Sequence, residues 1–269
     1  LKILINYSNQ NFKKQQKINT KSGKKYGGFD KVIEYGPSDL DNDFLERHAS
    51  FINNNKRGGG YWIWKPYIIL HALLNHAKDG DYIFYCDSGS FFINTIDYLI
   101  KDMENTKQDI FLTEIPLLEY QWTKRECFEG LGCLEEKYLF SNQIQGTYIL
   151  IKKTNKAIDF IKEYLESCSR YNLLNDNKDL KINKDLIDHR HDQSILSLLS
   201  KKEGIKAFRD ISQYGIRPNQ YITPDRDFLI KHYRNSTFPQ ITISYRKDIW
   251  WKVFLREKLK DLLGFRIRI

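Results

Sequence analysis

The chain of 269 residues contains no uninterrupted apolar run approaching the ~20 residues that a membrane-crossing helix needs. It has no secretory leader pattern at its start. Ile3-Leu4-Ile5 is too short for the apolar core of one and reads as a first strand. A cytoplasmic location is the expectation from these two absences. Cysteine is scarce, and Cys86, Cys127, Cys133 and Cys168 show no CxxC pairing, so a zinc ribbon is not indicated and free thiols are expected. The Walker phosphate loop and the sequence patterns of a Ser-His-Asp hydrolase are both missing. There is no internal repeat and no clean linker, and at this length the chain reads as one large domain or one domain with appendages.

Charge is the next constraint. The net charge is +9, but from residue 231 onward ten Lys/Arg stand against three Asp/Glu. The main body is therefore nearly neutral, and nucleic-acid binding is not expected of it. A division at 1–235 and 236–269 follows, with a basic, amphipathic C-terminal extension. Between Asp248 and Leu263, Trp251, Leu255, Leu259 and Leu262 recur at helical spacing, widened by Trp250 and Phe254. Lys252, Arg256, Lys258 and Lys260 supply a cationic side. That composition suits a helix lying on an anionic membrane surface; a helix packed on the domain is the other reading.

The body alternates strand and helix patterns. Strands are expected at Lys2–Tyr7, Lys31–Tyr35, Tyr82–Cys86, Asp109–Thr113, Gln145–Lys152 and Ile205–Phe208. Helices are expected after Ser8–Asn11, Pro37–Asp41, Pro66 and Thr154, near Thr95–Glu104, and after the opening stretch Asp188–Ser194 through Ile195, Leu196, Leu198 and Leu199, with Gly204 ending it. Lys21–Gly28 reads as a loop, and Leu117–Lys137 as irregular. Such alternation predicts an α/β fold with a mixed, largely parallel central sheet flanked by helices.

The stretch Tyr61–Ser90 organises the rest. An aromatic turn ends at Lys65-Pro66, a helix follows, and Asp79-Gly80-Asp81 breaks it. A buried strand then runs into Asp87-Ser88-Gly89. A carboxylate at the carboxyl end of a strand, followed by a small-residue turn, suits a ligand site in an open α/β sheet. The other reading of Asp87 is a plain turn cap.

With Gly58-Gly59-Gly60, Tyr61-Trp62, Trp64-Lys65-Pro66, Gly80-Asp81 and Asp87-Ser88-Gly89 in this order, the segment resembles bacterial sugar-nucleotide-dependent glycosyltransferases of the GT-A (Rossmann-like) fold. The resemblance covers roughly residues 1–235 and implies a nucleotide-sugar donor and a glycan or lipid-linked oligosaccharide acceptor. Similar bacterial proteins serve capsule, O-antigen or lipooligosaccharide assembly. It also implies that the first turn, Tyr7-Ser8, faces the nucleotide, with Trp64, Lys65, Asp87, Ser88 and Gly89 on the donor. The usual Asp-x-Asp pair holds a divalent cation, Mn or Mg, that stabilises the departing diphosphate. Here Gly89 stands at the second position, so only Asp87, with His232 from a late loop, is available as a ligand.

His191-Asp192-Gln193-Ser194-x-Leu196 further resembles the His-Asp-Glu-Ser-x-Leu of retaining blood-group-type galactosyl- and N-acetylgalactosaminyltransferases. This implies that His191 and Gly146, on the glycine-containing strand before a helix, lie near the donor. Asp192 and Gln193 would then be catalytic, with Gln193 replacing an acidic residue. A retaining hexosyltransfer is the main expectation, by a protein peripheral on the inner face of the membrane. The rivals are a non-catalytic glycan- or membrane-binding module with a degenerate donor site, and a nucleotidyltransferase of related fold. The latter needs a glycine-rich phosphate loop after the first strand, and Ser8–Lys14 has no glycine.

Overall fold

The computed structural model describes residues 1–246 and 248–263. Six strands form the central sheet: β1 (Lys2–Tyr7), β2 (Lys31–Tyr35), β3 (Tyr82–Cys86), β5 (Ile110–Leu118), β6 (Asn142–Lys152) and β7 (Phe208–Arg209). Their order is β2-β1-β3-β6-β5-β7. β1 runs parallel to β2 and β3, and β5 is parallel to β7; β6 alone is antiparallel to its neighbours β3 and β5. The sheet is thus mixed and largely parallel, as the alternation predicts. β4 (Ser90–Phe92) leaves the sheet and pairs antiparallel with β8 (Thr242–Ser244), Ser90 opposite Ser244. Tail residues beyond 235 thereby contribute a strand to the body, one that no apolar run announced.

The central strands are apolar at successive positions because both faces are covered. Ile3, Ile5, Ile83, Tyr85, Ile149 and Ile151 point to one side, onto helices Trp64–Asn75 and Asn155–Ser169. Leu4, Phe84, Cys86, Tyr148 and Leu150 point to the other, towards Leu99 and Met103 of helix Asp97–Asn105. Period-two alternation between two buried layers gives a continuous apolar run.

Chain order sets where a ligand can enter. From β1 the chain goes outward to β2 and then returns to β3 on the opposite side of β1. Such a reversal opens a crevice at the carboxyl ends of the two strands. Here those ends are Tyr7-Ser8 and Asp87-Ser88-Gly89.

Several local expectations are corrected. Lys21–Gly28 is not a loop: helix Lys13–Ser22 runs into a wider helical turn at Gly23–Gly27. Gly23 allows this, since a Cβ there would come within 2.5 Å of Leu4. Leu117–Lys137 is built of short helices at Glu119–Trp122 and Arg125–Leu131. Gly58, Gly59, Gly60, Tyr61 and Trp62 all take positive φ, so the glycine-rich turn is a left-handed turn. Glycine relieves the strain of that conformation at the first three positions. A Cβ on Gly60 would also stand 2.8 Å from Ile52.

The tail helix forms at Trp250–Leu262. Val253 packs with Phe91, Ile243 and Tyr245, with Phe254 alongside. Arg217, itself buried, binds Glu257 and reaches Asp261 at 2.9 Å. The opposite stripe, Trp251, Leu255, Leu259 and Leu262, is exposed. No described helix is long and apolar enough to cross a membrane. Residues 264–269 of the tail, and 247, lie outside the described residues.

Candidate active site

At the carboxyl end of β3, Asp87 holds its carboxylate partly exposed, and Tyr85 Oη donates to its Oδ1. Lys65 enters from the first turn of helix Trp64–Asn75. Its Nζ lies 2.8 Å from Asp192 Oδ2, 3.0 Å from the Gly146 carbonyl and 3.8 Å from Asp87 Oδ1. The side chains of Lys65 and Asp192 are each 4% exposed, so this ion pair is buried. Tyr164 Oη donates to Asp192 Oδ2 at 3.2 Å. Asp192 opens helix Asp192–Lys202, where unpaired backbone N–H groups favour a carboxylate.

Two carboxylates share one ammonium here. Burial pushes the Asp192 carboxyl above its ordinary range, with Lys65 opposing. Burial likewise works against the Lys65 charge, but Asp192 and Asp87 together outweigh it and hold its pKa above the usual value.

Gln193 completes the floor. Its Oε1 accepts from the Gly146 N–H at 3.0 Å, and its Nε2 donates to Gln143 Oε1 at 2.8 Å. Gly146 must be glycine for this approach: a Cβ would stand 3.1 Å from Lys65 Nζ and 3.4 Å from Asp192 Oδ2. The structure therefore brings Lys65, Asp87, Gly146, Asp192 and Gln193 together from four elements far apart in sequence.

The remaining residues fall in different places. Tyr7 stacks on Trp64 with ring centroids 3.7 Å apart. The Ser8 hydroxyl is buried and donates to Gln16 Oε1, and the Ser88 hydroxyl donates to the Tyr7 carbonyl, so both brace the crevice wall. His191 is buried behind the site. It stacks on Tyr61 at 4.3 Å, and its Nδ1 bonds the Leu174 carbonyl at 2.8 Å. Its backbone is strained, with φ 53° and ψ −119° at the helix start. His232 lines a separate hollow of about 210 Å³ with Glu114, Asp210, Lys231 and Tyr233.

A divalent cation would need ligands beside Asp87. Gly89 offers none, and a Cβ there would come 3.1 Å from Arg246 Cα. Asp192 is committed to Lys65, and Asp87 does not share the hollow of His232. Among the described residues no group of three or more His, Cys, Asp or Glu is placed to hold an ion. Among the described residues the side chains do not fit the Mn or Mg site that the resemblance implies.

No known protein family matches the sequence, and no curated protein does. Among solved structures, the chain resembles mouse xyloside xylosyltransferase 1 in its apo form. That match has 10% identity and a TM-score of 0.49, over 90% of this chain and 96% of that one. It also resembles the galactosyltransferase LgtC in complex with donor and acceptor sugar analogues, at 15% identity and a TM-score of 0.47, over 99% and 97%. The glycosyltransferase GlyE of Streptococcus pneumoniae, in its apo form, follows at 11% identity and a TM-score of 0.42, over 98% and 64%. At such identities no residue role transfers.

Sequence reasoning missed two groups at this end of the sheet. Arg190 lies two residues before Asp192, with its guanidinium over the Trp122 ring at 4.3 Å. Arg246 follows β8, and its N–H donates to the Gly89 carbonyl at 2.9 Å. Neither carries a motif, and only the pairing of β4 with β8 brings Arg246 to residue 89.

Proposed function

We propose that this chain is a glycosyltransferase that moves a hexose-type sugar from a UDP-sugar to a surface-glycan acceptor with retention of anomeric configuration. The observation that carries the reading is the Lys65–Asp192–Gln193–Gly146 cluster beside Asp87 at the sheet's switch point. A buried carboxylate at a helix start, held by one ammonium, is a fixed negative group in a place sheltered from water. There it stabilises positive charge building at the anomeric carbon.

In transfer, the bond from that carbon to the diphosphate oxygen breaks, and its electron pair leaves with the nucleoside diphosphate. The acceptor oxygen bonds the same face, and its proton passes to the departing diphosphate. Lys65 holds Asp192 in place, and the Gln193 amide, braced by Gly146 and Gln143, orients a sugar hydroxyl. The Tyr7–Trp64 stack presents an aromatic wall to the base. Capsule, O-antigen or lipooligosaccharide precursors, glycan or lipid-linked, are the acceptor class.

Hydrolysis of a panel of sugar nucleotides tests the reading, and NMR of the product's anomeric proton tests the stereochemistry. An α-linked product from an α-linked donor is expected. A β-linked product recasts Asp192 as a base beside the acceptor. Asp192→Ala is expected to lower turnover at least a hundredfold while leaving UDP affinity nearly intact. Hydrolysis of no sugar nucleotide in the panel would remove the proposal.

The tail fits work at the cytoplasmic face of a membrane. The exposed Trp251–Leu255–Leu259–Leu262 stripe stands beside Lys252, Arg256 and Lys258, which are also exposed. Apolar insertion and attraction to anionic lipid then act together. Flotation with anionic vesicles is expected for the full chain and lost for a chain ended at residue 247; equal recovery refutes the anchor.

A further inference from the structure

A glycosyltransferase must neutralise the diphosphate that leaves, and among the described residues no carboxylate besides Asp87 is placed at this turn to hold a cation, Asp192 being bound by Lys65. The same turn is instead met by the main chain that carries Arg246. β8 ends at Ser244, and the Tyr245 and Arg246 N–H groups both donate to the Gly89 carbonyl, at 2.8 and 2.9 Å. Arg246 takes a positive φ of 52° there, in a turn closed by Asp248 N–H on the Tyr245 carbonyl, and its side chain is exposed. Gly89 cannot carry a side chain without displacing that main chain, since a Cβ would sit 3.1 Å from Arg246 Cα. The place of a second carboxylate is thus taken by the backbone that delivers Arg246.

Arg190 approaches from the helix start. Its N–H bonds the Trp122 carbonyl at 3.1 Å, and its guanidinium lies over the Trp122 ring, 4.3 Å from the ring centre, with Arg226 on the same ring at 5.3 Å. The Arg190 Nε is buried and has no hydrogen-bond partner among the described residues. Asp188, the neighbouring carboxylate, is instead bound by Arg57 through both oxygens, at 3.2 and 2.7 Å. Burial lowers the Arg190 pKa; Asp188 opposes this, and Arg246 lies close enough to add to it. A guanidinium half-buried on Trp122, with its Nε unpaired, its neighbour Asp188 held by Arg57 and the charge of Arg246 acting on it, is placed to meet an anionic ligand.

We propose that Arg190 and Arg246 bind the donor's diphosphate at the Asp87–Gly89 turn and take its charge as it leaves, in the place of a metal ion held by two carboxylates. This rests on the glycosyltransferase reading above and names how its leaving group is held. Guanidinium forks match phosphate oxygens in pairs, and two of them offset the two charges the bound diphosphate already carries and the further one it gains as the C–O bond breaks.

Calorimetric titration with UDP, GDP, CDP and dTDP, each against its own nucleoside, tests this in EDTA and in MnCl2. The preferred nucleoside diphosphate is expected to bind within threefold equally in both buffers. Arg246→Ala is expected to weaken it at least tenfold and to leave nucleoside affinity unchanged. Arg190→Lys, which keeps the stem on Trp122 and one charge, is expected to weaken it several-fold and leave the melting temperature unchanged. Diphosphate binding that survives both substitutions, or that EDTA abolishes, overturns the arginine assignment while leaving the enzyme class standing. Failure of every nucleoside diphosphate to bind the parent protein overturns both.

Discussion

Replacing Lys65 by methionine is expected to destabilise the protein by about 3–5 kcal/mol, the range for breaking a buried ion pair by removing one partner. Methionine keeps the length of the stem, so packing in the first turn of helix Trp64–Asn75 survives and the loss isolates the charge. What remains is Asp192, 4% exposed, with Tyr164 Oη at 3.2 Å and no cation against its Oδ2. The Gly146 carbonyl also loses the donor it had at 3.0 Å. A buried carboxylate without a counter-charge takes up a proton rather than remain ionised. Burial already holds Asp192 above its ordinary pKa, and loss of Lys65 raises it further. A carboxyl raised in the folded state adds stability below its unfolded pKa and loses it as pH climbs through the folded one. The deficit of the variant therefore grows from pH 5 to pH 8. Urea unfolding at both pH values measures it, and in a chain of this size the loss corresponds to roughly a 10 °C fall in melting temperature. The double variant Lys65→Met/Asp192→Leu removes both charges and is expected to recover most of the stability yet none of the turnover. A single variant within about 1 kcal/mol of the parent, or a double variant no better than the worse single, refutes the reasoning.

Three further outcomes follow from the same packing. His191 is held neutral, its pKa pushed down to about 4 by burial, against the Leu174 carbonyl and Asp176. Its stabilising contribution is full above pH 6.5 and is lost as pH falls towards 4, on the order of 3 kcal/mol; His191→Phe, which keeps the stack on Tyr61, should flatten the urea-midpoint slope over that window. Gly89→Asp restores an Asp-x-Asp sequence but drives a Cβ against Arg246 Cα, so it is expected to lose UDP affinity and gain no Mn stimulation, read by titration calorimetry and initial rates. Arg217→Met strands the buried Glu257 and should release the Trp250–Leu262 helix, seen as a red shift of Trp fluorescence and faster tryptic loss of the tail while the body keeps its melting transition.

Much of the fold was legible because both layers of the sheet are covered. Strands such as Lys2–Tyr7 and Tyr82–Cys86 are short apolar runs between turns, and their bounds match the observed ones. Asp87 at a strand end and Asp192 at a helix start were legible for the same local reason: strand ends and helix starts carry sequence signals. Their partners were not. That Lys65 reaches Asp192 rather than solvent depends on Gly146 lacking a side chain, a contact across 81 residues. Lys21–Gly28 was misread because its lysines and glycines look like a loop, whereas tertiary packing of Gly23 against Leu4 lets the helix continue. β8 was invisible because three residues that alternate apolar and polar, as Thr242–Ser244 do, are too few to register as a strand; β4 supplies the hydrogen bonds that define it. Local pattern determined most of the strands and helices, and with them Asp87 at a strand end and Asp192 at a helix start. Only the tertiary structure decided which charges meet there, because burial and through-space pairing, not sequence spacing, set Lys65 on Asp192 and brought Arg246 to Gly89.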